Sequence, residues 1–340
     1  MKDKYNRYFK KIEVVLDAWL PAAPNVSWIE GVFAALGPVR PDLVSSLIEP
    51  GRDLLSRGGK RWRPLLMVLL AETLGGEAGA EAALPVTPLV EFPHTASLIH
   101  DDIEDNSDER RGKPAVHFLY GTDTAINGGA FLYFLPLACL DALSLSFEEK
   151  NRIYRVWGEY MRRLHLGQAM DIAWHRDFSS LPDLEDYERM CRLKTGCLAR
   201  LAAVLGVYCG CPAGGSGPAE ERYGEAAESL GVGFQILDDV KNLAEGIPGK
   251  KRGDDVIEGK KSLPVLLYLH RYPEKRKFAV RCFAAARSTG TGAPEVEEFI
   301  GALAGAGVLE EARQRGLELI AESRVCFSGE AFADFFDLIS

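Results

Sequence analysis

The chain has 340 residues, 47% of them hydrophobic and 26% charged, so it holds enough apolar material for a globular core. Its formal net charge of -9 argues against a nucleic-acid partner, because proteins that bind nucleic acid usually carry a basic footprint. No abrupt change in composition marks a linker, which favours a single domain over residues 1–340.

The N-terminal segment, the cysteines and the apolar stretches indicate the compartment. Residues 1–20 carry charges throughout and lack an apolar signal core, so export is not expected. The seven cysteines show neither disulfide-framework nor zinc-site spacing, which favours buried thiols in a reducing cytoplasm. The longest apolar stretch, residues 130–145, is interrupted by Pro136 and Asp141 and falls short of the roughly 20 residues of a membrane span. We therefore predict a cytoplasmic protein without integral membrane association.

Helical periodicity dominates the chain. Apolar residues recur at three- and four-residue intervals over 147–173, 193–208 and 226–243, and strand alternation is scarce. Glycine- and proline-rich breaks separate these stretches, for example at 211–218 and 246–253. The pattern predicts an all-α fold with about a dozen helices in one large bundle-like domain.

The first candidate site along the chain is the basic segment at residues 58–64, just before an apolar helix predicted over 65–74. Lys60 and Arg63 near a helix start can hold a phosphate group with help from backbone N–H groups. The segment has no Walker A pattern, so nucleotide phosphates are not favoured.

The second candidate site is the acidic cluster that ends an apolar stretch. On a helix, Asp101 and Asp105 share a face, and Asp102 lies about 100° round the axis. Adjacent carboxylates disfavour each other's ionisation, and a magnesium ion would supply the missing positive charge. A lone cluster of this kind is more typical of a solvated acidic helix end. The paired Arg110 and Arg111 that follow favour the site, because guanidinium groups match phosphate oxygens.

A second acidic cluster, Asp238 and Asp239, follows another apolar stretch more than a hundred residues later. Asn242 stands where a third carboxylate is expected, and its side chain either accepts from a metal-bound water or caps the helix. Downstream, Lys250 and Lys260 lie in glycine-rich segments that either close over a diphosphate or form a solvated basic turn. If the two acidic clusters face one another, they make a site for a magnesium-bound polyphosphate.

Seven motifs occur in one order along the chain. They are Gly-Gly-Lys-x-x-Arg-Pro at 58–64, His-Thr-Ala-Ser-Leu-Ile-His-Asp-Asp at 94–102, Arg-Arg-Gly at 110–112, Gly-Gln at 167–168 with Asp171, Lys-Thr-Gly at 194–196, Phe-Gln-x-x-Asp-Asp at 234–239 and Gly-Lys at 259–260. This combination resembles the trans-type isoprenyl diphosphate synthases, or polyprenyl synthetases, over roughly residues 54–269. The surroundings of both acidic clusters are most similar to the eukaryotic-type geranylgeranyl diphosphate synthases, in which the asparagine matching Asn242 is normal.

The resemblance implies a single large helical bundle of the isoprenoid synthase type with a central apolar cavity, a homodimer, and specific residue roles. The diphosphate of isopentenyl diphosphate would be bound by Lys60, Arg63, His94 and Arg111. Magnesium on the allylic diphosphate would be held by Asp101, Asp105 and Asp238, with Asp102 and Asp239 in support. The allylic substrate or its leaving group would be contacted by Arg110, Lys194, Thr195, Gln235, Lys250 and Lys260. The residues most directly involved in catalysis would be Asp101, Asp105, Lys194, Asp238 and Lys250.

The implied reaction is a magnesium-dependent condensation of isopentenyl diphosphate with dimethylallyl, geranyl or farnesyl diphosphate. Ala96 and Ser97, one turn before the first acidic cluster, are too small to stop the growing chain, so we expect geranylgeranyl diphosphate or a longer product. Pro93 departs from the family pattern, and a kink there would change the depth of the cavity.

Two other functions are compatible with parts of this pattern. A terpene cyclase also ionises allylic diphosphates but needs no second diphosphate pocket, so Lys60, Arg63 and Arg111 argue against it. A noncatalytic subunit of a heteromeric synthase would be expected to lose aspartates or basic residues, and here both clusters are nearly complete.

Overall fold

The computed structural model describes residues 2–34, 39–211, 217–246, 252–290 and 292–339. Its helices are α1 (Lys2–Trp19), α2 (Val26–Phe33), α3 (Pro41–Ser56), α4 (Trp62–Ala83), α5 (Pro88–Glu104), α6 (Val116–Tyr120), α7 (Thr122–Asp141), α8 (Phe147–Arg176), α9 (Leu184–Cys191), α10 (Cys197–Gly210), α11 (Gly217–Ala244), α12 (Asp254–Glu258), α13 (Leu263–Arg271), α14 (Arg276–Thr289), α15 (Pro294–Gly305), α16 (Val308–Cys326) and α17 (Glu330–Ile339). The predicted all-α fold is confirmed. The described residues contain more helices than the predicted dozen, since five-residue helices such as α6 and α12 are too short to show periodicity.

The chain divides into two compact units, each built from separate segments. The first unit contains Met1–Met161, Arg200–Gly224 and Phe327–Ser340, and the second contains Arg162–Ala199 and Glu225–Cys326. The single domain expected over residues 1–340 stays a prediction.

In the first unit, α4 supplies much of the core. Residues 63–71 of α4 are buried without interruption, as expected for a helix that is apolar all round. The helix continues to Ala83, but its backbone leaves the helical region at Gly76, where φ is 65°. The helix predicted over 65–74 therefore does not end there but continues, through a kink at Gly76, into a second helical half.

Helix α5 carries the first acidic cluster and packs against α7 and α3. It runs from Pro88 to Glu104 through Pro93, which is buried. Proline in the second turn removes the hydrogen bond that its N–H would donate four residues back. The helix nevertheless continues through Pro93, so the segment from Pro93 to the acidic cluster is one continuous helix.

A hairpin follows α5, although the sequence shows almost no strand signal. Strand β1 (Glu109–Arg110) pairs antiparallel with β2 (Lys113–Pro114), and the two-residue loop between them is Arg111-Gly112. Both loop residues have positive φ, 53° and 72°, which is the geometry of a type I′ turn. The hairpin orients two of the predicted substrate-binding arginines.

The second unit is organised around two apolar clusters. In one, Phe283 and Phe299 meet edge to face with ring centroids 5.2 Å apart, and α12, α13, α14 and α15 surround them. In the other, Tyr187 packs with Ile236 and Leu266. The second of these clusters includes Ile236 and Val240, which flank the second acidic cluster on α11.

Two stretches of the described residues, Thr122–Asp141 and Leu184–Gly210, are long and apolar enough to span a membrane. Half of the most apolar window in the first stretch and 67% of that in the second are buried within the protein. Core helices commonly have this composition, so the two stretches are weak evidence for a span.

Candidate active-site clusters

In the first unit, four predicted diphosphate ligands belong to one basic cluster, which we define as Lys60, Arg63, His94 and Arg111. Arg63 Nη1 lies 3.4 Å from His94 Nε2, and Arg63 also stacks on the ring of its neighbour Trp62. Arg111 Nη1 donates to the carbonyl oxygens of Leu54, at 3.1 Å, and Gly58. Arg111 is thus held against the loop that carries the exposed Lys60, and Arg63 lies in the first turn of the helix that follows.

His94 is neutral within this cluster. Burial and the guanidinium groups of Arg63 and Arg111 lower the pKa of His94 well below its usual value. A guanidinium can only donate, so His94 Nε2 accepts and Nδ1 carries the proton. Burial likewise lowers the pKa of Arg111. A cluster whose positive groups disfavour one another's charge is suited to bind an anion, because the anion relieves their repulsion.

The first acidic cluster lies at the C-terminal end of α5. The carboxylate of Asp102 is buried and accepts from Arg110 through Nε, at 2.7 Å, and Nη2. Asp101 Oδ2 is 3.6 Å from the same guanidinium. Asp105 ends the helix, its N–H donating to Asp101 O at 2.8 Å. Asp101 and Asp105 therefore sit one turn apart as predicted, and Asp102 is engaged mainly in orienting Arg110.

Helix α5 carries members of both clusters. His94 and Asp101 are seven residues apart, which corresponds to about 10 Å along a helix axis. One rigid helix thus presents a direct anion site and a carboxylate site two turns apart.

In the second unit, Lys194 and Thr195 lie in a π-helical turn, Arg192–Gly196. Such turns are rare and often occur at functional sites. Lys194 Nζ pairs with Asp171 Oδ2 at 2.5 Å. A Cβ added at Gly167 would lie 2.4 Å from Lys194 N, so only glycine permits α8 to approach this turn so closely. The Gly167 and Asp171 motif on α8 therefore positions Lys194.

A chain of hydrogen bonds links Thr195 to the second acidic cluster. Thr195 Oγ1 donates to Gln235 Oε1 at 2.7 Å, and Gln235 Nε2 donates to Asp239 Oδ1 at 2.8 Å. Tyr187 donates to the other oxygen of Asp239 at 3.3 Å. Burial, reinforced by the nearby carboxylate of Asp255, raises the pKa of Asp239 to about 8. Gln235 therefore bonds both Thr195 and Asp239, and it orients the Asp239 carboxylate.

The remaining predicted residues of this unit differ in placement. Asp238 is exposed, one position before the buried Asp239. Asn242 is buried and its Oδ1 accepts from Asp255 N, in the first turn of α12, at 3.2 Å. The two alternative roles of Asn242, a metal-bound water or a helix cap, stay predictions. Lys260 Nζ pairs with Glu258 Oε2 at 2.7 Å. Lys250 lies outside the described residues.

The predicted metal ligands Asp101, Asp105 and Asp238 suit a metal that is bound partly by substrate better than one that is bound by protein side chains alone. Among the residues that the structure describes, no group of three or more His, Cys, Asp or Glu side chains converges as a metal-binding set. Magnesium is commonly bound by one or two carboxylates together with substrate phosphates and water. Asp101 and Asp105 in the first unit, and Asp238 in the second unit, are each of the ligand type that such a metal uses.

Two buried ionic residues beside the basic cluster were not anticipated. Arg61 lies within the Gly-Gly-Lys-Arg-Trp-Arg-Pro segment, and Glu91 stands among apolar residues of α5. Arg61 Nη1 donates to Glu91 Oε1 at 2.9 Å. The sequence signal for this pair is the glutamate inside an apolar run, because a buried carboxylate requires a positively charged partner.

Comparisons with known proteins identify the family of the chain. A family model described as polyprenyl synthetase matches residues 44–298. The chain is 37% identical over 218 residues to geranylfarnesyl diphosphate synthase of Aeropyrum pernix, covering 63% of this chain and 67% of that protein. It is 36% identical over 244 residues to a geranylgeranyl pyrophosphate synthase of Eremothecium gossypii, covering 70% and 74%. The crystal structure of geranylgeranyl pyrophosphate synthetase from Pyrococcus horikoshii Ot3 is similar with a TM-score of 0.80 and 26% identity, covering 99% of this chain and 98% of that one.

Proposed function

The chain belongs to the polyprenyl synthetase family of trans-prenyltransferases, and we propose that it condenses isopentenyl diphosphate with an allylic diphosphate in a magnesium-dependent reaction. The observation that carries this proposal is the pairing of sites on α5, where His94 belongs to a basic cluster and Asp101 to an acidic one. A direct site for one diphosphate and a metal-assisted site for another match a reaction between two diphosphates. A terpene cyclase has no use for the basic cluster.

In this proposal the basic cluster binds and orients isopentenyl diphosphate. Arg63 and Arg111 supply fork-like donors to its phosphate oxygens, and neutral His94 adds a single Nδ1–H donor. Lys60, exposed at the start of the segment, adds a mobile point charge.

The allylic diphosphate is assigned to the acidic residues and the lysines. Asp101, Asp105 and Asp238 would hold magnesium, which when bound neutralises the charge that develops on the leaving diphosphate. Lys194 and Lys260 are each paired with a carboxylate, at 2.5 Å and 2.7 Å, which holds their ammonium groups in place, and we assign both to the leaving diphosphate. Lys250 is assigned the same role from the family resemblance alone.

The chemistry then needs no side-chain nucleophile. The carbon–oxygen bond of the allylic diphosphate breaks, and the double bond of isopentenyl diphosphate supplies the electron pair of the new carbon–carbon bond. A proton leaves the condensed product, with the departed diphosphate as its acceptor. The product is an allylic diphosphate longer by one isoprene unit.

We assign a product of geranylgeranyl length or longer. The named relatives include a geranylgeranyl and a geranylfarnesyl synthase. Ala96 is fully buried on α5 and Ser97 is partly buried, so the turn before Asp101 presents small side chains. Each added isoprene unit that leaves water contributes about 4 kcal/mol at ~0.8 kcal/mol per CH₂, so attraction favours extension until a bulky residue stops it. A homodimeric state and a cytoplasmic location are part of this proposal.

The test is chromatography of products formed from labelled isopentenyl diphosphate, with magnesium and each allylic primer in turn. A longer allylic diphosphate supports the proposal and gives primer preference and chain length together. Hydrocarbon formed from an allylic diphosphate alone would identify a cyclase. Substrate binding without turnover unless a second protein is added would identify a noncatalytic subunit.

A further inference from the structure

Arg61 lies between the predicted ligands Lys60 and Arg63. Its side chain is fully buried, and four of its five N–H groups donate: Nε to Glu13 Oε1 at 2.6 Å, Nη1 to Glu91 Oε1 at 2.9 Å and to Gly58 O at 3.3 Å, and Nη2 to Leu55 O at 2.6 Å. An arginine saturated in this way has little left to offer a phosphate. Its contacts instead connect the segment to the surrounding helices.

These contacts join three separate parts of the first unit. Glu13 belongs to α1, Glu91 belongs to α5, and Leu55 belongs to the end of α3. Helix α1 makes a second contact with the same segment, through the hydroxyl of Tyr5 and the carbonyl of Lys60 at 3.4 Å. The loop between α3 and α4 is therefore fastened on three sides.

The backbone of this loop requires such fastening. Gly58, Gly59 and Arg61 all have positive φ, 83°, 142° and 47°. Arg61 is the only one of the three with a side chain, and L-residues disfavour this left-handed conformation. A strained residue keeps its conformation only when the surrounding contacts determine it, and here the buried ion pairs do so.

Arg61 is also connected to Arg111 of the basic cluster through a shared hydrogen-bond acceptor. The carbonyl oxygen of Gly58 accepts from Arg61 Nη1 and from Arg111 Nη1, so one acceptor holds both guanidinium groups. Gly59 lies between them, and an added Cβ there would come within 3.0 Å of Arg111 Nη2 and 3.1 Å of Arg61 Nη1. Glu91 is three residues before His94 on the same helical face.

We propose that Arg61 is a positioning residue for the isopentenyl diphosphate subsite, anchored by Glu13 and Glu91, and that it sets the relative placement of Lys60, Arg63 and Arg111. This role rests on the proposed function for the identity of the ligand. Glu91 has a second effect in the same arrangement. Burial raises the pKa of its carboxyl and the guanidinium groups of Arg61, Arg111 and Arg63 oppose that rise, so the carboxylate paired with Arg61 limits the repulsion among these arginines before the diphosphate arrives.

The test compares Arg61→Gln with Arg61→Lys, Glu13→Gln and the matched control Arg200→Gln. Arg200 is also mostly buried, bonds a carboxylate and a tyrosine hydroxyl, and is outside the basic cluster. Two readouts are used: KM for each substrate together with kcat, and calorimetric binding of inorganic pyrophosphate in EDTA, with Arg63→Gln as the reference for a damaged subsite.

For Arg61→Gln we expect KM for isopentenyl diphosphate to rise and pyrophosphate affinity to fall on the order of tenfold, equivalent to about 1.4 kcal/mol of binding free energy. KM for the allylic substrate should stay within about twofold, because its proposed ligands do not bond Arg61. Arg61→Lys keeps the charge but cannot reach four acceptors at once, so its pyrophosphate affinity and its KM for isopentenyl diphosphate should lie between those of the wild type and Arg61→Gln. Glu13→Gln removes one anchor at a partly exposed position, should leave the fold intact, and should raise the same KM by about threefold.

The proposal is overturned if Arg61→Gln keeps pyrophosphate affinity within about twofold of the wild type, or if it lowers kcat and raises both KM values together as a general loss of structure would. It is also overturned if the wild type does not bind pyrophosphate in EDTA. Failure of the proposed function looks different: the wild type would bind pyrophosphate in an Arg61-dependent manner yet form no longer prenyl diphosphate from any primer.

Discussion

Replacing Lys261 with methionine should change how the stability of the protein depends on pH. Lys261 follows the predicted leaving-group ligand Lys260 and is only 3% exposed. Its Nζ donates to Gly259 O at 2.8 Å and to Trp174 O at 3.3 Å, and it lies 4.7 Å from the ring centroid of Phe283. These neighbours solvate the ammonium group incompletely.

The magnitude follows from the pKa of this lysine. Burial, assisted by Arg287 and opposed by Asp177 and Asp171, lowers the pKa of Lys261 from 10.5 to about 8. Between these values the unfolded chain binds more protons than the folded protein, so the free energy of unfolding rises with pH. At about 1.4 kcal/mol per pH unit, the gain between pH 7 and pH 10 is about 2 to 3 kcal/mol, and methionine lacks it.

The assay is urea-induced unfolding at half-unit steps from pH 7 to pH 10, for the wild type, Lys261→Met and the control Lys277→Met. Lys277 is an exposed lysine of α14, so its variant should follow the wild-type curve in parallel. The unfolding free energy of the wild type minus that of Lys261→Met should rise by about 2 to 3 kcal/mol between pH 7 and pH 10. If this value, wild type minus variant, stays constant or falls as pH rises, the reasoning from burial is refuted.

Three further predictions concern the candidate active-site clusters. Gly167→Ala should lower kcat by about a hundredfold while the protein stays folded, because its Cβ would displace Lys194; an unchanged kcat would show that the close approach of α8 is dispensable. Asp101→Asn should lower kcat on the order of a hundredfold and raise the magnesium concentration needed for half-maximal rate, measured by magnesium titration after EDTA treatment; an unchanged titration curve would remove Asp101 from the metal site. Ser97→Phe should shorten the main product by at least one isoprene unit, read by chromatography, and an unchanged product length would place the hydrocarbon chain elsewhere.

The candidate residues on α5 were the part of the site most open to prediction. Helical periodicity alone places Asp101 and Asp105 on one face, and the structure shows α5 as a helix through this segment. The same reasoning identified Ala96 and Ser97 as the turn before them. Pro93 was less predictable, because whether a buried proline kinks a helix depends on what packs around it.

The local geometry of other ligands was not predictable from their motifs. Arg111 lies in a type I′ turn without the usual Asn-Gly signal, and Lys194 lies in a π-helical turn that periodicity does not reveal. In both places contacts from other segments hold an uncommon backbone conformation. A pattern based on average propensities assigns the common conformation instead.

The motifs of this chain established an all-α protein of the polyprenyl synthetase family and most of its candidate ligands, since helical spacing and residue chemistry are local properties. The partners of those ligands emerged only from the folded chain. Arg61 bonds residues 48 and 30 positions away, and Gln235 bonds Thr195 40 positions away. Such pairings depend on which helices pack together and how far they exclude water, because a buried charge is stable only where packing brings its counter-charge within bonding distance.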